Sequence, residues 1–213
     1  MTPKEVRKRI SLEHPEYMEQ CVSEGHGVLI VTAHFGNWEI GGAVLAALGH
    51  KVNALVLPER LQKLNRMFQR QREKRGINLI PVGKGSAVFS IVKHLRKGEV
   101  VAVLGDRDFT GKDDRIDFFG KPARIPRGPA WLCKKAKTPI VPGLLMRQVD
   151  DSFLLRFYPP IYPGAEESVE SIQKKICRFL GKEISERPYQ WFIFDDFWDE
   201  GPPTETAADR VLS

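Results

Sequence analysis

His34 and Glu39 stand five residues apart in the run Thr32-Ala33-His34-Phe35-Gly36-Asn37-Trp38-Glu39, and an imidazole with a carboxylate is a natural pair for general acid–base chemistry. A neutral imidazole takes a proton from a hydroxyl near neutral pH, and a carboxylate beside it fixes its tautomer and raises its basicity. Such assistance contributes about 10²–10⁴ in rate. On a regular helix the two side chains would diverge by about 140°, because each residue turns the chain by about 100°. They meet only if the chain bends between them. Gly36 and Asn37 permit a bend, and Asn37 is also a good N-cap for a helix that starts at Trp38. Glu39 then falls in the first helical turn, where the helix dipole favours a carboxylate. Without the bend, His34 and Glu39 make unrelated local hydrogen bonds.

Asp106 and Asp108, in Gly105-Asp106-Arg107-Asp108, form the second polar cluster. As a metal pair they would need further ligands, and none stands nearby, so the expectation is that they hold neighbouring loops and arginines in place. Arg124 and Arg127 are candidates for that pairing or for a substrate phosphate. A third cluster is the stretch from Arg60 to Arg75, where seven Lys and Arg residues face a single acid, Glu73. Leu61, Leu64 and Phe68 give it an apolar stripe at helical spacing. It is either a solvated helix face over the core or a binding surface for phosphates and anionic headgroups. The chain carries no nucleophile elbow, since Gly83-Lys84-Gly85-Ser86-Ala87 fails the Gly-x-Ser-x-Gly spacing. Nor is it a phosphate-binding Walker loop, because Gly rather than Ser or Thr follows Lys84.

The elements that must position these residues alternate between β-branched runs and amphipathic stretches. Strands are expected at Gly27 to Thr32, Val52 to Leu57, Ile77 to Pro81, Val100 to Leu104, Pro139 to Met146 and Phe153 to Tyr158. Helices are expected at Trp38 to Leu48, Glu59 to Arg75, Ser86 to Lys97, Gly128 to Lys137 and Glu166 to Ile184, with an irregular charged stretch before Gly128. The alternation predicts a single α/β domain with a largely parallel or mixed central sheet flanked by helices. In such sheets ligands bind beyond the carboxyl ends of the strands. The segments carrying His34 and Asp106 both leave strands there, so the two clusters are expected to face one cleft.

Bulk properties agree with one domain. The chain has 213 residues, 42% hydrophobic and 28% charged, which suits a packed core rather than disorder. The net charge of +6 and the pI of about 9.3 favour an anionic partner without choosing among nucleic acid, lipid and phosphate-bearing substrate. Cys21, Cys133 and Cys177 are far apart and read as free thiols of a reducing compartment. The first 25 residues are too charged for a signal peptide, and no apolar run is long enough to span a bilayer.

The segment His34-Phe35-Gly36-Asn37-Trp38-Glu39 resembles the His-x4-Asp/Glu motif of glycerolipid acyltransferases. Specifically, it resembles the form found in the bacterial lipid A biosynthesis acyltransferase family, which includes phosphatidylinositol mannoside acyltransferases. Gly105-Asp106-Arg107-Asp108-Phe109, Ile116-Asp117-Phe118-Phe119-Gly120 and Pro122 to Pro129 resemble that family's second block. Pro139-Ile140-Val141-Pro142 and Pro188-Tyr189-Gln190-Trp191-Phe192 resemble blocks further on. The matches stand in family order over about residues 25 to 198.

The resemblance implies a glycerolipid acyltransferase-like fold, with His34 as general base and Glu39 as its partner. It implies direct transfer of a fatty acyl group from an acyl-carrier-protein or coenzyme A thioester to a hydroxyl of a glycolipid acceptor, with no cofactor and no metal. It also implies a functional arginine near the end of the basic helix, placed at Arg72 with Arg70 next. Asn37, Asp106, Asp108, Arg124 and Arg127 are grouped with these two as substrate-binding candidates. The site of action implied is an anionic membrane surface, the cytoplasmic face of the bacterial inner membrane, reached peripherally.

Two departures stand out. Family members usually carry an anchor-bearing region before the motif, so residues 1–24 read as a helical remnant of it, residues 25–200 as the acyltransferase domain and 201–213 as a flexible tail. Asp-Arg-Asp replaces the Asp-Gln-Asp or Asp-His-Asp common in lipid A enzymes and leans toward the mannoside branch. A rival reading is a basic nucleic-acid-binding module. It would need aromatics interleaved with the basic residues, whereas Phe68 lies on the apolar side, so nucleic acid is not expected. A further alternative is a catalytically inactive lipid-binding relative.

Overall fold

The computed structural model describes residues 8–25, 27–56, 62–82, 87–108, 115–194 and 196–198. The strands are β1 (Ile10–Glu13), β2 (Val28–Thr32), β3 (Val52–Val56), β4 (Ile77–Pro81), β5 (Val100–Leu104), β6 (Arg115–Phe118), β7 (Lys121–Arg124), β8 (Ile140–Arg147) and β9 (Phe153–Phe157). The helices are α1 (Glu16–Ser23), α2 (Trp38–Ala47), α3 (Gln62–Lys74), α4 (Ala87–Arg96), α5 (Gly128–Ala136) and α6 (Val169–Glu186), followed by a 3₁₀ turn at Pro188–Gln190. Seven strands form one sheet in the order β1-β9-β8-β2-β5-β3-β4, and β6 and β7 form a separate hairpin.

Strands β8, β2, β5, β3 and β4 run parallel, while β9 is antiparallel to β8 and carries β1 parallel to itself. The sheet is therefore largely parallel with a reversed edge, as the alternation of strands and helices predicts. Its central strands are continuous apolar runs because both faces are covered. Successive side chains point to opposite faces. Leu29 and Val31 join Ile91, Leu95, Ala130, Leu132, Ile172, Ile176 and Leu180 in one core, beneath α4, α5 and α6. Val28 and Ile30 join Met18, Cys21, Ala43, Val44 and Leu45 in the other, beneath α1 and α2. Each fully buried Leu, Ile or Val contributes about 1.5–3 kcal/mol, so β2, buried on both faces, anchors the site that follows it.

Three local departures from the sequence expectation have physical reasons. Within the segment expected to be helical, Ile10–Glu13 is a strand paired with β9, and it separates the helical residues Lys8 and Arg9 from the helix Glu16–Ser23. Four residues on a sheet edge, with Ile10 alone buried, are too few for a period to show. The stretch expected to be irregular contains the β6–β7 hairpin, whose turn places Phe119 at φ +61 and Gly120 at φ +75, a conformation that a primed two-residue turn demands and that is rare for Phe. Helix α6 starts at Val169 rather than Glu166 because the Ser168 hydroxyl accepts the Ser171 N–H at 3.0 Å and caps it. The Gly83 to Ser86 part of the rejected loop motif and the tail at 201–213 lie outside the described residues.

Candidate active site

Thr32 at the end of β2 is paired in parallel register with Leu104 at the end of β5. His34 and Asp106 each lie two residues further on, so the sheet delivers them to the same point. Asp106 is fully buried, and His34 is 15% exposed. The His34 backbone N–H donates to Asp106 Oδ2 at 2.8 Å, and His34 Nδ1 lies 2.9 Å from Asp106 Oδ1. An ionised carboxylate has no hydrogen to give, so Nδ1 carries the proton of that bond and Nε2 becomes the basic nitrogen of the neutral ring. The Trp191 indole N–H donates to Asp106 Oδ2 at 2.9 Å. Three N–H donors thus converge on one carboxylate that burial would otherwise penalise by several kcal/mol.

The turn after His34 is held from two sides. Gly36 has φ +57, and a Cβ there would come 2.0 Å from the Leu145 carbonyl oxygen, so no side chain fits without moving β8. The Asn37 N–H donates to that same carbonyl at 2.9 Å, while the Gly36 N–H donates to the Gln190 carbonyl at 2.8 Å. The Phe192 N–H donates to the His34 carbonyl at 2.7 Å, and Phe35 and Trp191 form an antiparallel bridge. Gln190 is tied down in turn: its side chain accepts from the Arg147 N–H and donates to the Arg147 carbonyl, both at 3.0 Å. The carboxy-terminal segment is therefore a strap across the His34 turn. Its importance is not visible in local patterning, where Trp191 reads as one more core aromatic. The Pro188 to Phe192 signature was the available signal.

Helix α2 begins as the sequence expects. Asn37 is the N-cap, its side chain accepting the Ile40 N–H at 3.3 Å, and Glu39 lies in the first turn. Glu39 is bound by Arg72 from the last turn of α3: Arg72 Nε donates to Glu39 Oε2 at 3.1 Å, and a second guanidinium nitrogen donates to Oε1. The carboxylate seated on His34 Nδ1 is thus Asp106, while Glu39 makes a forked ion pair with Arg72. Both partners of that pair are partly exposed, so it adds about 0.2–1 kcal/mol to stability and matters more as a way to fix Arg72 beside the first turn of α2.

The other candidates are distributed around this centre. Asp108 follows Asp106 by two residues and is half-buried. Arg124 closes β7 and is half-buried, and Arg127 precedes α5 and is exposed. On α3, Arg70 lines a shallow basic depression with Arg66, Met67, Gln71 and Lys74. An apolar crevice lies between α2 and the sheet beside Trp38, lined by Thr32, Gly41, Gly42, Gly143, Leu145 and Phe157 among others. Aromatic rings lead outward from His34: Trp38 at 5.1 Å, Phe192 at 6.0 Å from Trp38, and Phe194 at 6.3 Å from Phe192. Phe194 is 89% exposed. The three cysteines are buried free thiols, and burial pushes Cys133 and Cys177 up to about 12 and Cys21 upward as well. None has the exposed, electropositive setting of a thiolate nucleophile. No helix among the described residues is long and apolar enough to cross a membrane.

A family model described as bacterial lipid A biosynthesis acyltransferase matches residues 1–199. The chain is similar to the phosphatidylinositol mannoside acyltransferase of Mycobacterium tuberculosis, 23% identical over 185 residues, covering 86% of this chain and 58% of that protein. It is similar to the lipid A biosynthesis palmitoleoyltransferase of Escherichia coli, 26% identical over 191 residues, covering 87% of this chain and 60% of that protein. Among solved structures, the 1-acyl-sn-glycerophosphate acyltransferase PlsC of Thermotoga maritima has a similar fold, with a TM-score of 0.50 and 15% identity over 87% of this chain and 79% of that one. The chain spans about 60% of the length of the curated relatives it matches.

Proposed function

Because the chain belongs to the bacterial lipid A biosynthesis acyltransferase family, we propose that it transfers a fatty acyl group from an acyl thioester to a hydroxyl of a glycolipid. His34 Nε2 takes the proton of the acceptor hydroxyl as its oxygen attacks the thioester carbonyl. The tetrahedral intermediate then expels the thiolate, which leaves with that proton as a free thiol, and the ester remains on the acceptor. Asp106 holds the imidazole with its proton on Nδ1 and offsets the positive charge the ring acquires. Glu39 and Arg72 act as a unit beside the ring, Arg72 with Arg70 reading phosphates of donor or acceptor. Asn37, Asp108, Arg124 and Arg127 complete the acceptor side. The fatty chain enters the crevice between α2 and the sheet, where Gly41 leaves room.

The observation that carries this reading is the buried Asp106 carboxylate on His34 Nδ1, at the strand ends where α/β sheets bind ligands. A buried carboxylate on an imidazole is an arrangement suited to general-base catalysis. The donor is a thioester of acyl carrier protein or of coenzyme A, and the acceptor a lipid A precursor or a related glycolipid. The place of action is the cytoplasmic face of the bacterial inner membrane, approached from the surface through the basic face of α3 and the exposed aromatics at Phe192 and Phe194.

The deciding experiment incubates the protein with each thioester type and a bacterial lipid extract, and identifies acylated products by mass spectrometry. Transfer by the wild type, lost in His34→Ala, supports the proposal. No transfer or thioester hydrolysis from either donor across chain lengths would sink it and leave a lipid-binding relative without activity.

A further inference from the structure

We infer that Trp191 is a positioning residue for the reaction, acting through Asp106. The inference rests on the reading of His34 as general base. Asp106 Oδ2 accepts two N–H groups, one from the His34 backbone and one from the Trp191 indole, while Oδ1 receives His34 Nδ1. The first of these donors travels with the histidine itself. The second comes from a side chain 85 positions further along the chain.

The indole is held for this purpose. Its ring packs against Phe197 at 4.9 Å and against Phe118, Trp198 and Phe119 at 6.1 to 6.4 Å. Its backbone is bridged to Phe35, one residue past His34. Neighbours on both sides are pinned: Gln190 to Arg147 and Gly36, Phe192 to the His34 carbonyl. The N–H therefore has one direction, set by the aromatic cluster and by a strap that is itself bonded to the His34 turn.

The physical consequence follows from what a buried carboxylate needs. With Trp191 present, the plane of Asp106 is fixed by donors on both oxygens, and Oδ1 is kept at 2.9 Å from Nδ1. Without the indole N–H, Oδ2 keeps only the backbone donor. The carboxylate can then rotate about that bond, and its hold on the Nδ1–H tautomer weakens. A free neutral imidazole has its proton largely on Nε2, so a weaker hold moves the proton to the nitrogen that should be basic. The base is lost without any change in substrate contacts.

The test replaces the indole N–H while keeping the ring's shape, by placing 3-benzothienylalanine at position 191, with Trp191→Phe as the encoded counterpart. Transfer from dodecanoyl thioesters of coenzyme A and of acyl carrier protein is measured beside wild type and His34→Ala. The ¹⁵N shifts of the His34 ring are read at a pH where the ring is neutral. The expected result is a fall in kcat of about tenfold, the scale of one hydrogen bond to a charged group, with KM changed less than about twofold. The ring spectrum should shift toward the Nε2–H tautomer. In an Asp106→Asn background the benzothienylalanine should cost nothing further.

An unchanged kcat and an unchanged tautomer in the benzothienylalanine protein overturn the role of Trp191, as does a loss confined to Trp191→Phe, which would indicate packing alone. Full activity in His34→Ala overturns the general-base reading instead, so the two failures are told apart.

Discussion

At the scale of single residues, the informative contrast is between the two carboxylates of the cleft. Asp106 is buried and seated on the imidazole, whereas Glu39 is partly exposed and clamped by Arg72. If Asp106 is the imidazole's partner, Asp106→Asn should lower kcat by about 10²-fold or more with little change in KM. Glu39→Gln, which keeps the shape but weakens the Arg72 pair, should act mainly on KM. Steady-state kinetics on the two variants decides, and the reverse pattern would return Glu39 to the role of partner. The cysteines offer a separate check. Their pKa values are raised by burial, so the reactive thiolate is depleted at any pH below the raised value and grows only as pH rises toward it. Native protein at pH 8 should therefore resist iodoacetamide at all three positions, and mass spectrometry should show three adducts after unfolding. A rapidly modified cysteine in the native protein would reopen an acyl-enzyme route.

Elements explain why those residues can be where they are. Helix α2 carries two adjacent glycines in its interior, each costing about 1 kcal/mol relative to alanine, and they line the crevice beside Trp38. A Cβ on Gly41 would meet nothing nearer than Leu145 Cβ at 4.0 Å, so the space is open to a side chain. Gly41→Leu should fold, fill that space, and shift preference toward shorter acyl donors, read as a change in the ratio of kcat/KM between short and long thioesters. An unaltered ratio would place the fatty chain elsewhere. The boundaries of α2 were legible in the sequence because Asn37 caps it and Gly36 turns the chain before it. The strand β1 and the β6–β7 hairpin were not, since four-residue strands are too short to give a readable period.

The whole molecule adds a surface. Its net charge of +6 is concentrated in part on α3, where Arg66, Arg70 and Lys74 are exposed near the Arg72–Glu39 pair. Phe192 and Phe194 stand outward on the line of rings that starts at His34. If this face meets an anionic bilayer, reversing Arg70 and Lys74 to Glu should weaken sedimentation with phosphatidylglycerol vesicles by about 1 kcal/mol per charge removed, and raising salt from 50 to 500 mM should weaken wild type similarly. Binding indifferent to both would remove α3 from the membrane contact. By itself, the sequence determined the order of strands and helices from β2 onward apart from the β6–β7 hairpin, the α/β class, the capped start of α2 and the family resemblance, with His34 as the candidate base. All of these rest on periods, caps and motifs carried within short stretches of chain. Tertiary structure decided that Asp106 sits on the imidazole, that Arg72 holds Glu39, and that Trp191 reaches Asp106. These contacts join residues 33 to 85 positions apart. They depend on β2 lying beside β5 in one register and on the strap crossing the turn, and no local pattern encodes which distant strand becomes a neighbour.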